Sequence, residues 1–390
     1  MSAMAAVRER WKMSFEALML VLVTAALQVF GLAVLYSSSA VSALNEGHGS
    51  SYYLTRQLTG ALIGIVAFAI AAKMDAERWR KWAWPLMGLS FFLMLVIVLP
   101  FAGPIAPRIN GSRRWLYLGF MFQVSELAKL AVVVWTAMLI VKKGDKLRRL
   151  TKGLLPFLVI IGLLDLLAVL EPDLSTAMMF TLIMGIVLFA GGVRIGHFVV
   201  LGILAIPVLW HEVEKAQYAL LRITSFLDPG SVPADAGHQL KQSLIAVGSG
   251  GLFGVGFGEG RQQLGFVPYP YSDFIGSTVG EEWGFLGMLV LILGFTLYAW
   301  LGFRIAQRAR SKFLELVAIG LTATTVITAF LHIGVVIGLL PTTGLTLPFF
   351  SFGRSNLLMS FLMTGILVNI GSERVRVFGE GATDPVATAA

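Results

Sequence analysis

Long apolar stretches recur along this 390-residue chain and constrain its fold more than any other feature. They cover about 15 to 27 residues, close to the roughly 17 to 25 with which an α-helix crosses the roughly 30 Å core of a bilayer. Hydrophobic residues make up 57% of the chain and charged residues 13%, which is far from a soluble globular composition. We therefore predict an all-α integral membrane protein with ten transmembrane helices. The ten stretches lie at roughly 15–36, 58–72, 82–100, 115–141, 154–170, 174–190, 195–210, 284–303, 313–339 and 355–370.

The positions of Lys and Arg predict the orientation of these helices. Basic residues are concentrated in alternate connections, most densely at 142–152, and such connections face the cytoplasm. Both termini are therefore predicted to be cytoplasmic, and the long connection at 211–283, between helices seven and eight, to be extracytoplasmic. This placement accounts for the net charge of +8 without a nucleic-acid partner.

The same pattern divides the chain into a cytoplasmic N-terminal segment at 1–14, a membrane domain at 15–372 and a disordered cytoplasmic tail at 373–390. Small residues at 40–43 leave open the alternative that the first stretch is a cleaved signal peptide, although it is long for a signal core. The chain contains no cysteine, which excludes disulfides and thiol chemistry.

One stretch of the long outer connection stands out. Eight glycines fall between Gly248 and Gly265, and an acidic residue, Asp273, follows just before an apolar run. Glycine at this density indicates unusual backbone angles and close approach of the main chain to another group. We hypothesise that Asp273 is a catalytic base at the membrane surface. The alternative is that it caps the next helix, whose first turns would also suit Glu281 and Glu282.

Three ionisable residues fall inside predicted spans, where a charge is costly. Glu126 and Lys129 lie three residues apart on the fourth stretch and Asp165 lies in the fifth. Lys129 and Asp165 are each thirteen residues from an inner span end, so both are predicted to lie roughly 20 Å above the cytoplasmic face. We expect Lys129 to contact Asp165, Glu126 or both. A buried ion pair that only fixes helix packing is an equally weighted interpretation.

Polar groups also mark three outer connections. They lie at 110–115, at 171–176 and at 341–356. Asp173 is either the N-cap of the next helix or a substrate contact. The mixture of Pro, Gly and aromatic residues in the third connection predicts irregular backbone buried in protein.

Seven motifs, taken in order, resemble the shape, elongation, division and sporulation family of peptidoglycan polymerases, which includes FtsW and RodA. The resemblance covers about residues 15–372, and YSSSA at 36–40 and GLTLPFFSFG at 344–353 favour the FtsW branch. The motifs are NGSRRW at 110–115, QVSELAK at 123–129, EPDLSTA at 171–177, RITSFLDP at 222–229, HQLKQSLIAVGSGGLFGVGFG at 238–258, SDFIGSTVGEEWGFLG at 272–287 and GLLPTTGLTLPFFSFG at 338–353.

The resemblance implies a glycosyltransferase that polymerises lipid II at the outer face of the bacterial cytoplasmic membrane. It makes Asp273 the essential aspartate, acting as general base for an acceptor hydroxyl in an inverting displacement of polyprenyl diphosphate. Cations would stabilise the departing diphosphate, either from side chains or from a divalent ion such as Mg²⁺ or Mn²⁺. The expected protein partner is a class B penicillin-binding protein. The implied substrate-binding residues are Arg56, Arg114, Glu126, Lys129, Asp173, Gln239, Gln242, Ser243, Arg261, Ser351 and Arg354.

The chain departs from the family pattern near these residues. Tyr269 and Tyr271 stand where the family has glutamate and histidine, Val124 replaces a proline, and Arg354 replaces a glycine. Arg354 could therefore contact a diphosphate or plug the cavity. Two other functions remain open from the sequence: a transporter that flips lipid II, and a division scaffold without activity.

Overall fold

The computed structural model of the chain describes residues 8–108, 112–117, 119–148, 153–215, 217–227 and 234–377. Among them are twelve α-helices and two short antiparallel strand pairs. Strand β1 (Arg8–Met13) pairs with β4 (Ser372–Val377), and β2 (Trp115–Tyr117) pairs with β3 (Met121–Gln123). The helices are α1 (Phe15–Asn45), α2 (Tyr52–Lys73), α3 (Arg78–Val98), α4 (Val124–Lys143), α5 (Leu155–Leu170), α6 (Leu174–Ala190), α7 (Ile195–Lys215), α8 (Gln217–Leu227), α9 (Ala234–Ser249), α10 (Ile275–Gln307), α11 (Lys312–Val336) and α12 (Arg354–Ile370).

Within the described residues, six helices are long and apolar enough to cross a membrane: α1, α2, α3, α4, α10 and α11. Helices α5, α6 and α12 are shorter and also apolar. The chain is therefore a mostly helical, multi-pass membrane protein. Each predicted apolar stretch falls on a helix, with the fourth only partly helical. Helix α1 runs unbroken through residues 40–43, where a cleavage site was considered.

The predicted start of the fourth span at residue 115 is wrong. Residues 115–123 contain the β2–β3 hairpin, and α4 begins only at Val124. The hairpin turns at Gly119, whose φ of +80° favours glycine. Ser355 fastens it to α12, because its hydroxyl accepts a hydrogen bond from Gln123 N at 2.9 Å and donates one to Met121 O at 3.0 Å.

Helices α4 and α11 form the buried centre of the molecule. Over the most apolar 18-residue stretch of each helix, 89% of α4 and 78% of α11 is buried, against 28% for α2 and for α3. Small residues allow this approach: a Cβ added at Gly320 of α11 would lie 2.6 Å from a methyl of Val133 on α4. Thr324 and Thr328 donate to carbonyls of their own helix, at 2.7 Å each. Their hydroxyls are thus satisfied without water.

Helix α10 begins at Ile275, nine residues before the predicted span, and bends at Gly284, where φ is +63° and ψ is −157°. The glycine-rich segment at 248–265 packs into this break. Val255 N donates to Glu281 O at 3.0 Å, and Phe285 N donates to Gly251 O at 2.9 Å. Main chain from the glycine-rich segment therefore replaces the helical hydrogen bonds that the bend interrupts.

The two ends of the described chain meet in the β1–β4 pair, in which Met13 lies opposite Ser372. This corrects the prediction of a disordered tail at 373–390, because residues 373–377 belong to a strand. Their backbone groups pair with those of β1, which the hydropathy pattern did not predict. Residues 378–390 and 1–7 lie outside the described part of the chain.

A candidate active site around Asp273

Asp273 lies in the turn that leads into α10. The N-cap of that helix is Phe274, so the alternative that Asp273 caps the helix is wrong. Ser272 donates a hydrogen bond from Oγ to Asp273 Oδ1 at 2.9 Å. On its other side the carboxylate faces the backbone of Gly344, where an added Cβ would lie 3.7 Å from Oδ2. The side chain is half-buried, so it lies in a recess that water can reach.

Charges from other parts of the chain act on Asp273. Burial raises the pKa of this carboxyl, and repulsion from Asp173 adds to that increase. The hydrogen bond from Ser272 and the positive charges of Arg222 and Arg114 oppose it. The result is a carboxylate with more affinity for a proton than a free aspartate, next to two cations. Such a group suits proton abstraction near neutral pH.

The turn between α5 and α6 contributes Asp173, whose predicted role as the N-cap of the next helix is confirmed. Its Oδ1 accepts from Thr176 N at 3.1 Å, so it is the N-cap of α6. Its Oδ2 lies 3.3 Å from Nη1 of Arg114, which also donates to the carbonyls of Glu171 and Pro172. These contacts hold the Arg114 guanidinium against the turn, within electrostatic range of Asp273.

The loop between α11 and α12 holds the backbone next to Asp273 in place. Ser351 is buried, and its hydroxyl donates to Ser272 O at 2.7 Å and accepts from Leu347 N at 2.8 Å. Gln57 of α2 binds the same loop: its Nε2 donates to Ser351 O at 3.0 Å, and its Oε1 accepts from Gly353 N at 3.1 Å. The hydroxyl of Ser351, predicted to bind substrate, is thus used to hold the backbone next to Asp273. The backbone at 341–353 is irregular, as predicted, and residues 347–351 of it are buried.

His332 is a supporting residue that the sequence did not reveal. It is buried on α11, where Nδ1 lies 2.8 Å from Leu345 O and Nε2 accepts from Gly276 N at 3.3 Å. Since the carbonyl can only accept, Nδ1 carries the proton and the ring is neutral. The imidazole thus ties the first turn of α10 to the residue that follows Gly344. A lone histidine in an apolar helix gave no local sign of this role.

Glu171 also went unrecognised. It is 3% exposed, and its Oε1 has no hydrogen-bond partner. Burial, together with repulsion from Asp173, raises the pKa of Glu171 to about 9, and Arg114 only partly opposes this. Glu171 therefore carries a proton at neutral pH. It lines a cavity of about 310 Å³ whose wall also includes Ser112 and Arg113.

The two tyrosines at family-variant positions behave differently. Tyr271 is buried, its hydroxyl lies 3.1 Å from that of Tyr53, and its carbonyl accepts from Phe352 N at 2.8 Å. Burial raises the pKa of Tyr271, so its phenol stays neutral. Tyr269 is exposed, with a φ of +51° that is uncommon for a residue other than glycine. An aromatic wall thus flanks the Asp273 turn.

The Glu126–Lys129 contact is confirmed. Glu126 Oε2 lies 2.8 Å from Lys129 Nζ, and both side chains are buried. The predicted contact between Lys129 and Asp165 is wrong, because Asp165 Oδ2 instead accepts from Thr181 Oγ1 of α6 at 2.6 Å. Helix α5 packs on α6 and α3, whereas α4 packs on α3, α6 and α11. The two residues were placed at a similar depth, but α4 and α5 meet through the rings of Trp135 and Phe157, 5.6 Å apart, while Asp165 contacts α6.

The remaining candidates lie on other surfaces. Ser243 donates to Val336 O at 2.8 Å, which fixes α9 to the end of α11, and Gln239 and Gln242 lie half-buried on the same helix. Arg261 is exposed, and its backbone N–H donates to Glu281 Oε1 at 2.8 Å. Within the described ranges no group of three or more histidine or acidic side chains is arranged to hold a metal ion.

Arg56 and Arg354 lie on the side of the molecule formed by α2 and α12. The guanidinium of Arg56 lies 4.2 Å from the ring centroid of Tyr52. The guanidinium of Arg354 lies 5.2 Å from the ring centroid of Phe120 in the β2–β3 hairpin.

Comparison with known proteins identifies the family. The model of the FtsW, RodA and SpoVE family, described as cell cycle protein, matches residues 17–376. The chain is 38% identical to the probable peptidoglycan glycosyltransferase FtsW of Trichlorobacter lovleyi, over 94% of this chain and 95% of that protein. It is also 38% identical to stage V sporulation protein E of Bacillus subtilis, over 90% of this chain and 96% of that protein.

A solved structure agrees with the sequence comparison. It was reported as structural coordination of polymerization and crosslinking by a peptidoglycan synthase complex. One of its chains is similar to this protein with a TM-score of 0.75 and 26% identity, over 91% of this chain and 97% of that chain. The predicted family is therefore confirmed: the chain belongs to the FtsW, RodA and SpoVE family.

Proposed function

We propose that this protein polymerises lipid II into glycan strands at the outer face of the bacterial cytoplasmic membrane, in cell division, with Asp273 as the general base. Glycosyltransferase activity is supported by relatives named peptidoglycan glycosyltransferase FtsW. The observation that carries the role of Asp273 is its position: a half-buried carboxylate in a recess, with Arg114 and Arg222 close enough to act on it.

The chemistry needs one base and one stabiliser of negative charge. Asp273 takes the proton of the acceptor hydroxyl as its oxygen attacks the anomeric carbon of the donor sugar. The bond from that carbon to the diphosphate oxygen breaks, and the α-linked donor gives a β-linked product. A positioned base contributes typically about 10²–10⁴-fold. Arg114 and Arg222 supply positive charge near the diphosphate as it leaves.

Gly344 keeps side-chain atoms away from the Asp273 carboxylate. Gly344 faces Asp273 Oδ2 and has a φ of +71°, so a side chain there would be strained and would occupy the space beside the carboxylate. Two lipid-borne substrates confined to a membrane need positioning more than activation, since the donor already carries a good leaving group.

The proposed topology places this site outside the cell. Ten membrane spans, two cytoplasmic termini and an extracytoplasmic segment at 211–283 fit a structure in which the predicted stretches fall on helices, the fourth in part, and β1 pairs with β4. The inner connections are rich in Lys and Arg, as expected for a cytoplasmic face. Arg114, Asp173 and Asp273 then belong to connections on the outer side.

A crosslinking partner fits this function. The similar solved structure is of a complex that coordinates polymerization with crosslinking. We infer that a class B penicillin-binding protein binds this chain and crosslinks its product. A divalent cation, Mg²⁺ or Mn²⁺, would assist the departing diphosphate if the arginines do not suffice.

The test is polymerisation of purified lipid II by the protein with its partner, with and without Mg²⁺ or Mn²⁺. We expect Asp273→Asn, which keeps the size of the side chain, to lower the rate by at least about 10²-fold. The matched control is Glu259→Gln, because Glu259 is an exposed acid in the glycine-rich segment. Equal polymer from wild type and Asp273→Asn would contradict the base assignment.

Two outcomes would favour the other functions. Translocation of lipid II across proteoliposomes without any polymer would support a transporter. A wild-type protein that is inactive until Arg354→Gly and Tyr269→Glu are introduced would support a division scaffold.

A further inference from the structure

The turn at 250–257, called the apolar turn below, carries large apolar side chains on its surface although it belongs to a connection between helices. Leu252, Phe253 and Phe257 are 54%, 75% and 51% exposed. Residues 242–258 contain no charged side chain. An exposed apolar patch of this kind marks a surface that contacts something other than water.

Hydrogen bonds to α10 hold the main chain of the apolar turn. Gly256 N donates to Glu282 O at 3.1 Å. Leu286 N donates to Leu252 O at 3.2 Å, so the turn lies beside the first residues of α10 that follow the bend. Irregular backbone is tolerated at membrane depth where its polar groups are bonded to protein. The turn therefore meets the backbone requirement for contact with lipid.

The bend at Gly284 explains why the apolar turn lies at the surface. Every residue of α10 from 275 to 282 is buried, whereas the helix is exposed on one side after the bend. Before the bend, the surface is formed by the apolar turn instead of α10. The ring of Phe257 lies 6.3 Å from that of Trp283, which continues the apolar surface across the bend.

After the bend, the exposed side of α10 is an apolar stripe. Its side chains are spaced three or four residues apart, so they share one face of the helix. They are 42–59% exposed and comprise Leu286, Val290, Leu293, Leu297 and Trp300. Arg304 ends the stripe, with its guanidinium 5.7 Å from the ring centroid of Trp300. A tryptophan beside a basic residue is typical of a membrane boundary.

The length of the stripe indicates the depth of the apolar turn. Leu286 and Arg304 are 18 residues apart, so about 27 Å separate them along the helix. The hydrocarbon core of a bilayer is roughly 30 Å thick. With Arg304 at one boundary of the core, Leu286 and the apolar turn beside it lie just inside the opposite boundary.

We propose that the apolar turn is inserted into the leaflet opposite to Arg304, with Leu252, Phe253 and Phe257 among the lipid chains. In the proposed topology this is the outer leaflet, so residues 250–257 re-enter the membrane from the extracytoplasmic segment. The partner of this surface is the bilayer, because the surface is uncharged and continuous with the stripe of a membrane-spanning helix. The inference does not depend on the proposed polymerase function.

Spin-label accessibility of the full-length protein in phosphatidylglycerol–phosphatidylethanolamine vesicles tests this insertion. The chain contains no cysteine, so one cysteine substitution gives one labelled site. The probe is Phe253→Cys, and the matched control is Glu259→Cys, which replaces an exposed acid of the same glycine-rich segment. Leu293→Cys, in the middle of the stripe, is the reference for lipid. Oxygen is enriched in lipid, whereas a polar nickel chelate is excluded from it.

We expect the label at position 253 to collide with the nickel chelate at least about tenfold less often than the label at position 259. Its collisions with oxygen should be about as frequent as those of the label at position 293. Equal nickel collisions at positions 253 and 259 would place the apolar turn in water and overturn the proposal. Infrequent collisions with both reagents would show that protein covers the turn, which would also overturn it.

A second probe keeps the test decisive if Phe253→Cys does not fold. Leu252→Cys changes an exposed side chain, and the hydrogen bond from Leu286 uses the carbonyl of Leu252, which the substitution retains. We expect the same pattern of collisions at position 252. Access of the nickel chelate to this position at the level of position 259 would contradict the insertion.

Discussion

The buried ion pair on α4 gives a quantitative prediction. Glu126 Oε2 and Lys129 Nζ are 2.8 Å apart, with side-chain exposures of 7% and 8%. Lys129→Met would leave the Glu126 carboxylate buried without its counter-charge, and such a change costs about 3–5 kcal/mol of unfolding free energy. The double variant Glu126→Gln/Lys129→Met removes both charges together, so its stability should lie within about 1 kcal/mol of wild type. The cycle should show a coupling of at least about 2 kcal/mol.

A surface pair of the same spacing provides the control. Lys312 and Glu315 on α11 are also three residues apart and 2.8 Å from each other, but their side chains are 50% and 35% exposed. Lys312→Met should therefore change the unfolding free energy by no more than about 0.5 kcal/mol. Thermal unfolding of the purified variants at neutral pH measures all of these values.

The double variant also separates a structural from a functional pair. Glu126 Oε2 lies within hydrogen-bond distance of Lys129 Nζ, and because a carboxylate oxygen has two lone pairs it can still accept from a second donor. We expect the double variant to fold and to polymerise lipid II at least about tenfold more slowly than wild type. Wild-type activity in that variant would show that the pair only supports packing. Additive effects of the two single changes on stability would refute the ion pair itself.

Three further predictions follow from individual contacts. Burial raises the pKa of Glu171 from 4.5 to about 9, so the folded protein holds a proton that the unfolded chain releases. Stability should therefore fall as pH rises from about 5 to about 9, by up to about 1.4 kcal/mol per unit, and Glu171→Gln should flatten this slope in thermal melts. His332→Ala should lower both melting temperature and polymerisation rate, and His332→Asn, which keeps a donor and an acceptor, should restore part of each. Gly254→Ala should lower the unfolding free energy by more than about 2 kcal/mol, because its Cβ would lie 2.1 Å from Glu282 O. Gly258→Ala is the control: its φ is +79° and no atom lies near the added Cβ, so it should cost only about 1 kcal/mol. Chemical denaturation measures both values.

Hydropathy was sufficient to place the helices, because a membrane requires long apolar segments whose backbone groups bond within the helix. It failed at 115–123, where two three-residue strands carry Trp, Leu, Tyr, Met and Phe. Such a short apolar run has the same average hydropathy in a strand as in a helix. The hydropathy pattern also did not predict that α10 extends past the bend at Gly284 back to Ile275. The hydrogen bonds that support this bend come from the glycine-rich segment.

The sequence predicts how deep a residue lies along its helix, but it does not predict which neighbouring helix the side chain contacts. Glu126 and Lys129 share one helix face at a fixed spacing, so their contact followed from the sequence. Asp165 lies on a different helix, and its partner Thr181 depends on how α5 packs against α6. Glu171 and His332 were missed for the same reason, because their roles come from neighbours distant in sequence.

The environment of Asp273 meets two opposing requirements of the general base that we propose it to be. It must be ionised before the reaction, and the charges of Arg114 and Arg222 favour the ionised form. It must also bind a proton well during the reaction, which burial favours. A donor diphosphate that binds near the two arginines would neutralise part of their charge. The proton affinity of Asp273 would then rise only when a donor is present, so that the base is strengthened at the moment when the acceptor hydroxyl must lose its proton.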